Sequence, residues 1–302
     1  MSLTKIIAVV GPTASGKTSL GLDLAAKLNS EIISVDSMQV FKGMDIGTAK
    51  PTAEQRKQVA HHLIDIMEPG APYSAGKFAQ HAKEVITGLV GQKKVPILLG
   101  GTNLYHRALT EGINEAPPAT PEVKEEVWAK TQEERYDWLC DIDPGGAAML
   151  HANDSARVAR ALEVKLTTGA SLIQFQKAQD FTPSYDVFYL GRYWEREETY
   201  ARINERTIEM FDMGFVKEVQ GLLDAGIDTT LPCMNSIGYK QVVAHLAGEM
   251  TVEEMIEDVQ KKTRRFAKKQ RTWLRAMEDI HWLERDQELD EIFPVLQEFL
   301  DK

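Results

Sequence analysis

Cysteine is almost missing from this 302-residue chain: only Cys140 and Cys233 occur, far apart and without C-x-x-C spacing. That excludes a zinc site built from cysteines and gives no basis for a disulfide framework, so both are read as reduced thiols. No apolar run approaches the ~18 residues needed to cross a bilayer, and no membrane partner is expected. The stretch Ile6–Val10 is too short for a secretory core and runs into a glycine loop rather than a cleavage site, so a cytoplasmic location is expected. Internal repeats and low-complexity tracts are also lacking. Net positive charge is absent as well: the chain carries −10, which as an average argues against nucleic acid, where phosphate contacts dominate binding. The average conceals a segregation. Residues 261–275 read KKTRRFAKKQRTWLR, with eight Lys or Arg and no acid, so the rest carries −10 − 8 = −18. Such a block shapes the local field more than the total does.

What is present is enough for a core of 43% hydrophobic residues and a length suited to a main domain plus a smaller one. The β-branched run Ile6–Val10 ends at Gly11 and reads as a buried strand. Lys17–Leu28 follows with apolar residues at helical spacing. Ile32–Val35 is a second strand ending at Asp36, and Val95–Leu99 a third ending at Gly100-Gly101, with a helical pattern over Ala75–Val90 between them. The alternation predicts a parallel α/β sheet with flanking helices and ligands at the carboxyl ends of its strands. The Pro-rich stretch at 114–118 marks a boundary. Residues 119–180 are helical in pattern, Val187–Leu190 reads as a returning strand, and from Glu197 onward the pattern is helical, with Gly214 as a weak point. The expected organisation is a core of residues 1–115 plus 187–302 and a helical insertion domain at 116–186.

Gly11-Pro12-Thr13-Ala14-Ser15-Gly16-Lys17-Thr18 matches G-x-x-x-x-G-K-[ST] between a strand and a helix. In this loop backbone N–H groups and a helix N-terminus receive phosphate oxygens, Lys17 adds a cation, and the Thr18 hydroxyl can hold Mg²⁺. The pattern specifies a phosphate chain and a metal, not ATP, because an isoprenyl diphosphate presents the same two phosphates. Val95–Leu99 ends in Gly-Gly-Thr and lacks the metal-holding acid of a nucleotide hydrolase. Asp36, at a strand end beside the loop, can accept a proton from an incoming nucleophile or cap the turn that follows; the pattern leaves both open.

With GPTASGKT at 11–18, the chain carries ISVDSMQVFKGMDIGTAKP at 33–51, HHLID at 61–65, YSAGKF at 73–78, GGTNLY at 100–105, HANDSARVARALEV at 151–164, NSIGYKQ at 235–241 and AKKQRTWLR at 267–275. From about residue 6 to about 285 it resembles the tRNA dimethylallyltransferases, also called tRNA isopentenyltransferases. The resemblance implies a P-loop NTPase-like core and transfer of a dimethylallyl group from dimethylallyl diphosphate to N6 of the adenosine at position 37 of tRNA, releasing pyrophosphate. It implies that Gly11 to Thr18 hold the diphosphate with Mg²⁺ at Thr18, and that Asp36 is the general base, with Lys17 and Thr102 in the catalytic set. Arg206 is the match for an arginine facing pyrophosphate, with Arg202 one turn away as an alternative. Ser37, Met38, Gln39 and Thr102, with Asn235, Gly238, Tyr239 and Lys240, inherit contacts to tRNA. Arg157 and Arg160 fall on one helix face and point either to RNA or to surface ion pairs. Arg264, Lys268, Lys269 and Gln270 lie in the basic stretch expected to meet phosphates. Phe266 and Trp273 are open between stacking on bases and packing, as are Tyr105 and Tyr239 between core and site, and His61 and His62 carry no assigned role. The two cysteines exclude the C-terminal zinc finger of some non-bacterial members, which leaves the compact bacterial type, expected as a monomer. The other readings are a phosphate-loop small-molecule kinase and a non-catalytic RNA-binding protein with a vestigial loop.

Overall fold

The computed structural model describes residues 3–112, 116–177, 183–277, 279–284 and 287–302. The chain divides into two compact units, residues 1–111 with 183–302, and residues 112–182. Along the chain the first unit begins with β1 (Thr4–Val10), α1 (Lys17–Lys27), β2 (Ile32–Ser34), α2 (Ala53–Gln58), β3 (His61–His62), α3 (Ala75–Gly91), β4 (Ile97–Leu99) and α4 (Asn103–Thr110). The second unit holds α5 (Pro121–Trp128), α6 (Gln132–Ile142), α7 (Pro144–Ala147), α8 (Ser155–Thr168) and α9 (Leu172–Lys177). The first unit resumes with β5 (Tyr185–Arg192), α10 (Arg196–Asp212), α11 (Phe215–Asp224), α12 (Tyr239–Leu246), α13 (Val252–Leu274), β6 (Ile280–Leu283) and α14 (Leu289–Asp301).

Six strands form one sheet in the order β3-β2-β4-β1-β5-β6, and every pairing is parallel. The central strand shows why its sequence is a continuous apolar run. Ile6, Ala8 and Val10 enter the cluster with Phe78, Tyr105 and Leu274, on the face covered by α3, α4 and the end of α13. Ile7 and Val9 enter the opposite cluster with Leu20, Leu24 and Leu296, under α1 and α14. A strand buried on both faces has no polar side to present. Two strands were not read from the sequence. β3 is a two-residue edge strand of histidines paired with β2, and β6 (Ile-His-Trp-Leu) buries only its end residues.

Two further clusters matter for the site. The segment after β2 contributes Val40, Phe41 and Met44 to a core shared with Phe215, Val219, Tyr239 and Met255 of α11, α12 and α13. The unit of residues 112–182 has its own core, with Val127, Leu139, Val158 and Leu162.

Candidate active site

The loop between β1 and α1 is held from outside by side chains that lie 179 to 257 residues away. Trp194 Nε1 donates to Ser15 O at 2.7 Å, and Arg202 Nε donates to Ala14 O at 2.9 Å with its guanidinium 4.4 Å above the Trp194 ring. Arg206 Nη2 donates to Thr13 Oγ1 at 2.6 Å, and Thr13 N donates to Gln270 Oε1 at 2.8 Å. The carbonyls of Ala14 and Ser15 are thus engaged, and α1 starts directly after them. Gly16, in a left-handed conformation (φ 81°), precedes that helix with no side-chain cap and no acid in its first turn. Uncapped first-turn N–H groups and the dipole end form an anion site. Lys17, Thr18, Thr13 and Arg206 share one cavity of about 100 Å³ with Asp36, Gln39, His61 and Gly100.

Burial, reinforced by the neighbouring Arg206, pulls the Lys17 ammonium down to about 8, against a smaller upward pull from Asp36. A diphosphate binds the protonated form, so donor affinity is full below that value and declines as pH rises through it. KM for the donor is expected to be flat up to about pH 7.5 and to climb toward tenfold per unit above about pH 8, whereas an ordinary lysine would hold its charge to about pH 10. A pH series of initial rates at varied donor concentration checks this, and a flat KM up to about pH 9.5 would mean that Lys17 keeps the proton affinity of an ordinary lysine in the site.

Asp36 follows β2. Its Oδ1 accepts from Met38 N at 2.8 Å and Gln39 N at 3.2 Å, so it does cap the turn. Oδ2 has no protein partner among the described residues and is available to a substrate. One oxygen of the carboxylate thus caps the turn while the other is left for a second role. Gln39 differs from its expected part as a base contact. Its Oε1 accepts from Ser34 Oγ at 2.9 Å and its Nε2 donates to the carbonyls of Thr48 and Ala49, both at 3.3 Å, which commits the amide within the chain. Ser37 is half-buried beside Asp36, and Met38 packs on the cluster under the following segment.

Close approach explains the glycines after β4. A Cβ on Gly100 would stand 2.1 Å from Val35 O, so only glycine lets the end of β4 pass the strand that carries Asp36. Thr102 N donates to Val35 O at 3.2 Å, and Thr102 precedes α4 with no side-chain cap bond, its hydroxyl left for other partners. Gln270, expected among the RNA contacts, is instead buried. Its Nε2 donates to Gly101 O at 3.0 Å while its Oε1 holds Thr13, so it ties the phosphate loop to the turn after β4. The spacing of the buried positions Ala267, Gln270 and Leu274 on α13 is the signal that would have found it.

Of the two arginines, Arg206 lines the cavity beside Lys17, and Arg202 grips the loop's back. Tyr239 is a core residue: it is buried, and its hydroxyl donates to Glu218 Oε1 at 2.7 Å. Tyr105 is buried too, stacked 4.5 Å from Phe78. Asn235 is exposed with its amide on Thr230 O and Leu231 O, Gly238 is buried at the start of α12, and Lys240 is exposed. On α13, Lys268 and Lys269 are exposed, as are Lys261, Lys262, Arg265 and Phe266, while Arg264 Nη1 donates to Asn204 Oδ1 and Trp273 packs inward. In the unit of residues 112–182, Arg160 donates to the carbonyls of Ala116 and Pro117 and pairs with Glu163 at 3.6 Å, in line with the ion-pair alternative. Arg157 is exposed and pairs with Asp154 at 3.4 Å. His61 lines the cavity with Nδ1 on Val59 O at 2.8 Å, and burial lowers its pKa, which keeps the ring neutral; His62 pairs with Glu31 beside Lys94 on the surface.

Among the described residues no group of three or more His, Cys, Asp or Glu could hold a metal. The cavity instead offers the Thr18 hydroxyl beside the cationic groups of Lys17 and Arg206. That donor set fits Mg²⁺, which keeps several waters and takes most other ligands from substrate phosphates.

A phosphate loop at the carboxyl edge of a parallel sheet, with a carboxylate facing it across one cavity, defines a P-loop enzyme of the group-transfer kind. Residues 39–277 match the family described as IPP transferase, and residues 4–68 that described as isopentenyl transferase. The tRNA dimethylallyltransferase of Geobacter metallireducens is 43% identical over 301 residues, 98% of this chain and 97% of that one. The protein of the same name from Geobacter sulfurreducens is 44% identical, over 99% of this chain and 97% of that one. Among solved structures, the tRNA isopentenylpyrophosphate transferase of Bacillus halodurans superposes with a TM-score of 0.73 at 37% identity, covering 99% of this chain and 96% of that one. A eukaryotic dimethylallyltransferase acting on tRNA gives 0.84 at 26% identity, covering 99% and 80%. The chain belongs to the IPP transferase family.

Proposed function

We propose that this protein transfers a dimethylallyl group from dimethylallyl diphosphate to N6 of the adenosine next to the anticodon of tRNA, and that it does so as a cytoplasmic monomer. The observation that carries the reading is one cavity in which the Asp36 carboxylate faces Lys17, Arg206 and the start of α1. The C–O bond of the donor breaks, the amine nitrogen forms the new C–N bond, the amine proton passes to Asp36 Oδ2, and pyrophosphate leaves. An allylic carbon loses pyrophosphate readily because its developing cation is delocalised, and the exocyclic amine is a weak nucleophile. The enzyme's work is therefore positioning, charge neutralisation and exclusion of water. Lys17, Arg206 and the N-terminal amides of α1 meet the growing charge on the leaving group. Mg²⁺ bound at Thr18 would neutralise part of the diphosphate charge. A base stacked in an anticodon loop reaches such a cavity only when extruded. The relatives matched over nearly the whole chain are named for prenyl transfer to tRNA, which favours this reading over phosphoryl transfer.

The test is incubation of the purified protein with Mg²⁺, dimethylallyl diphosphate and unmodified tRNA, followed by mass spectrometry of the nucleosides. Prenylated adenosine is the expected product; its absence, with ATP consumed against small acceptors, would favour a kinase. The exposed basic face of α13 is assigned to tRNA phosphates. Replacing Lys268 and Lys269 by Ala is expected to weaken tRNA binding and reduce the slope of log K against log salt by about one per lost phosphate contact. An unchanged slope in filter-binding titrations would leave these lysines as a solvated face.

A further inference from the structure

We infer that Glu218 of α11 is a positioning residue for the transfer: its carboxylate holds the segment 44–50 over the cavity and, through Gln39, fixes Asp36. The inference rests on Asp36 as the proton acceptor proposed above.

The geometry begins with four donors on one carboxylate. Glu218 Oε2 accepts from Asp45 N at 2.9 Å and Ile46 N at 2.6 Å. Glu218 Oε1 accepts from Gly47 N at 3.2 Å and from Tyr239 Oη at 2.7 Å. A carboxylate offers about four lone-pair sites, so Glu218 is saturated, and bonds to a charged acceptor are about twice as strong as neutral ones. Burial and the adjacent carboxylate push the Tyr239 phenol far above its ordinary range, so it remains a donor. Gly47 lets the segment lie this close to the helices, since a Cβ there would stand 2.3 Å from the Phe215 ring.

The same segment is tied on its other side. Lys50, buried, donates to Phe41 O at 2.9 Å, to Asp45 at 2.5 Å and to Asp65 at 2.6 Å. Between the two tethers, Thr48 and Ala49 line the cavity. Their carbonyls receive Gln39 Nε2, and Gln39 N donates to Asp36 Oδ1. The connection from α11 to Asp36 thus runs through hydrogen bonds joined by the short backbone of residues 47–49 and by Gln39 itself. None of it touches the phosphate loop, which Trp194, Arg202, Arg206 and Gln270 hold independently. Loosening Glu218 should therefore misplace the proton acceptor and leave diphosphate binding intact.

The test compares Glu218→Ala, Glu218→Gln and Val219→Ala, with Asp36→Asn measured alongside. Val219 is the next residue on the helix, fully buried in the same core, so its variant reports loss of stability alone. Glu218→Ala is expected to lower kcat by roughly 10- to 100-fold, the scale of a misplaced reacting group, with the donor KM within about threefold. Glu218→Gln keeps one acceptor oxygen and should recover part of the loss, and Val219→Ala should keep kcat at matched Tm. If Glu218→Ala does not fold, Glu218→Gln and Tyr239→Phe, which removes one of the four donors, should show a smaller loss confined to kcat. A slow Asp36→Asn together with Glu218 variants that match Val219→Ala would overturn the positioning role. So would a Glu218 loss shared equally by kcat and donor KM. An Asp36→Asn enzyme of full activity would instead remove the base reading on which the inference stands.

Discussion

Replacing Asp36 by Asn is expected to lower kcat by about 10²- to 10⁴-fold, the usual worth of a positioned general base, with the donor KM unchanged or reduced. Asparagine is the informative substitution because its Oδ1 can still accept from Met38 N and Gln39 N, so the turn after β2 survives. What disappears is the basic Oδ2 and one negative charge. That charge stands among the groups that act on Lys17 and Arg206, favouring the cationic form of each. At a pH well below the Lys17 pKa, where Lys17 stays cationic without Asp36, its removal takes an anion away from the diphosphate site and donor binding has no reason to weaken. Asp36→Ala removes the turn cap as well and should add a stability loss of about 1 kcal/mol. Single-turnover rates at saturating donor and tRNA separate the effects, since a group that acts only on the proton in flight lowers kcat and kcat/KM equally. A loss residing in donor KM instead would reassign Asp36 to binding.

The parts of this site that could be read from the sequence are those whose chemistry is local. Gly11 to Thr18 announces a phosphate loop because strand, turn glycines and helix are contiguous, and β1, β2, β4 and β5 announce themselves as apolar runs ending in glycine, acid or arginine. β3 could not be read, because two histidines on an edge carry no β-branched run, and β6 buries too few of its four residues to show a period. The clamps on the phosphate loop were not legible either. Trp194, Arg202 and Gln270 reach it from elements distant in sequence, and a polar residue such as Gln270 within a basic stretch reads as surface until the buried stripe of α13 is traced through it. Tyr239 and Gln39 show the same limit. Each carries groups able to meet RNA, and each is committed to a partner that only the fold brings near.

Arg206 and Arg202 lie one helical turn apart on α10, yet their loss should be felt differently. Arg206 is in the cavity wall beside Lys17 and Asp36, so under the proposed reaction Arg206→Met removes a charge that would meet the leaving pyrophosphate and is expected to cost about 10²- to 10³-fold in kcat, with a weaker donor complex as well. Arg202→Met removes the bond to Ala14 O and the stack on Trp194, but Trp194 still holds Ser15 O. Its cost should stay near tenfold and appear mainly in donor KM, because the loop is loosened while the charge facing the substrate remains. Arg206→Lys should not restore the rate, since an ammonium cannot reproduce the planar fork that bonds Thr13 and keeps further donors in the cavity. A second signature distinguishes Arg206 from a merely structural residue. Its guanidinium is one of the groups that depress the Lys17 pKa to about 8. Removing it lets Lys17 hold its proton to higher pH, and the alkaline rise in donor KM should move upward in Arg206→Met and stay in place in Arg202→Met. Equal kcat losses in the two variants, with no displacement of that limb, would mean that both arginines serve only to hold the loop.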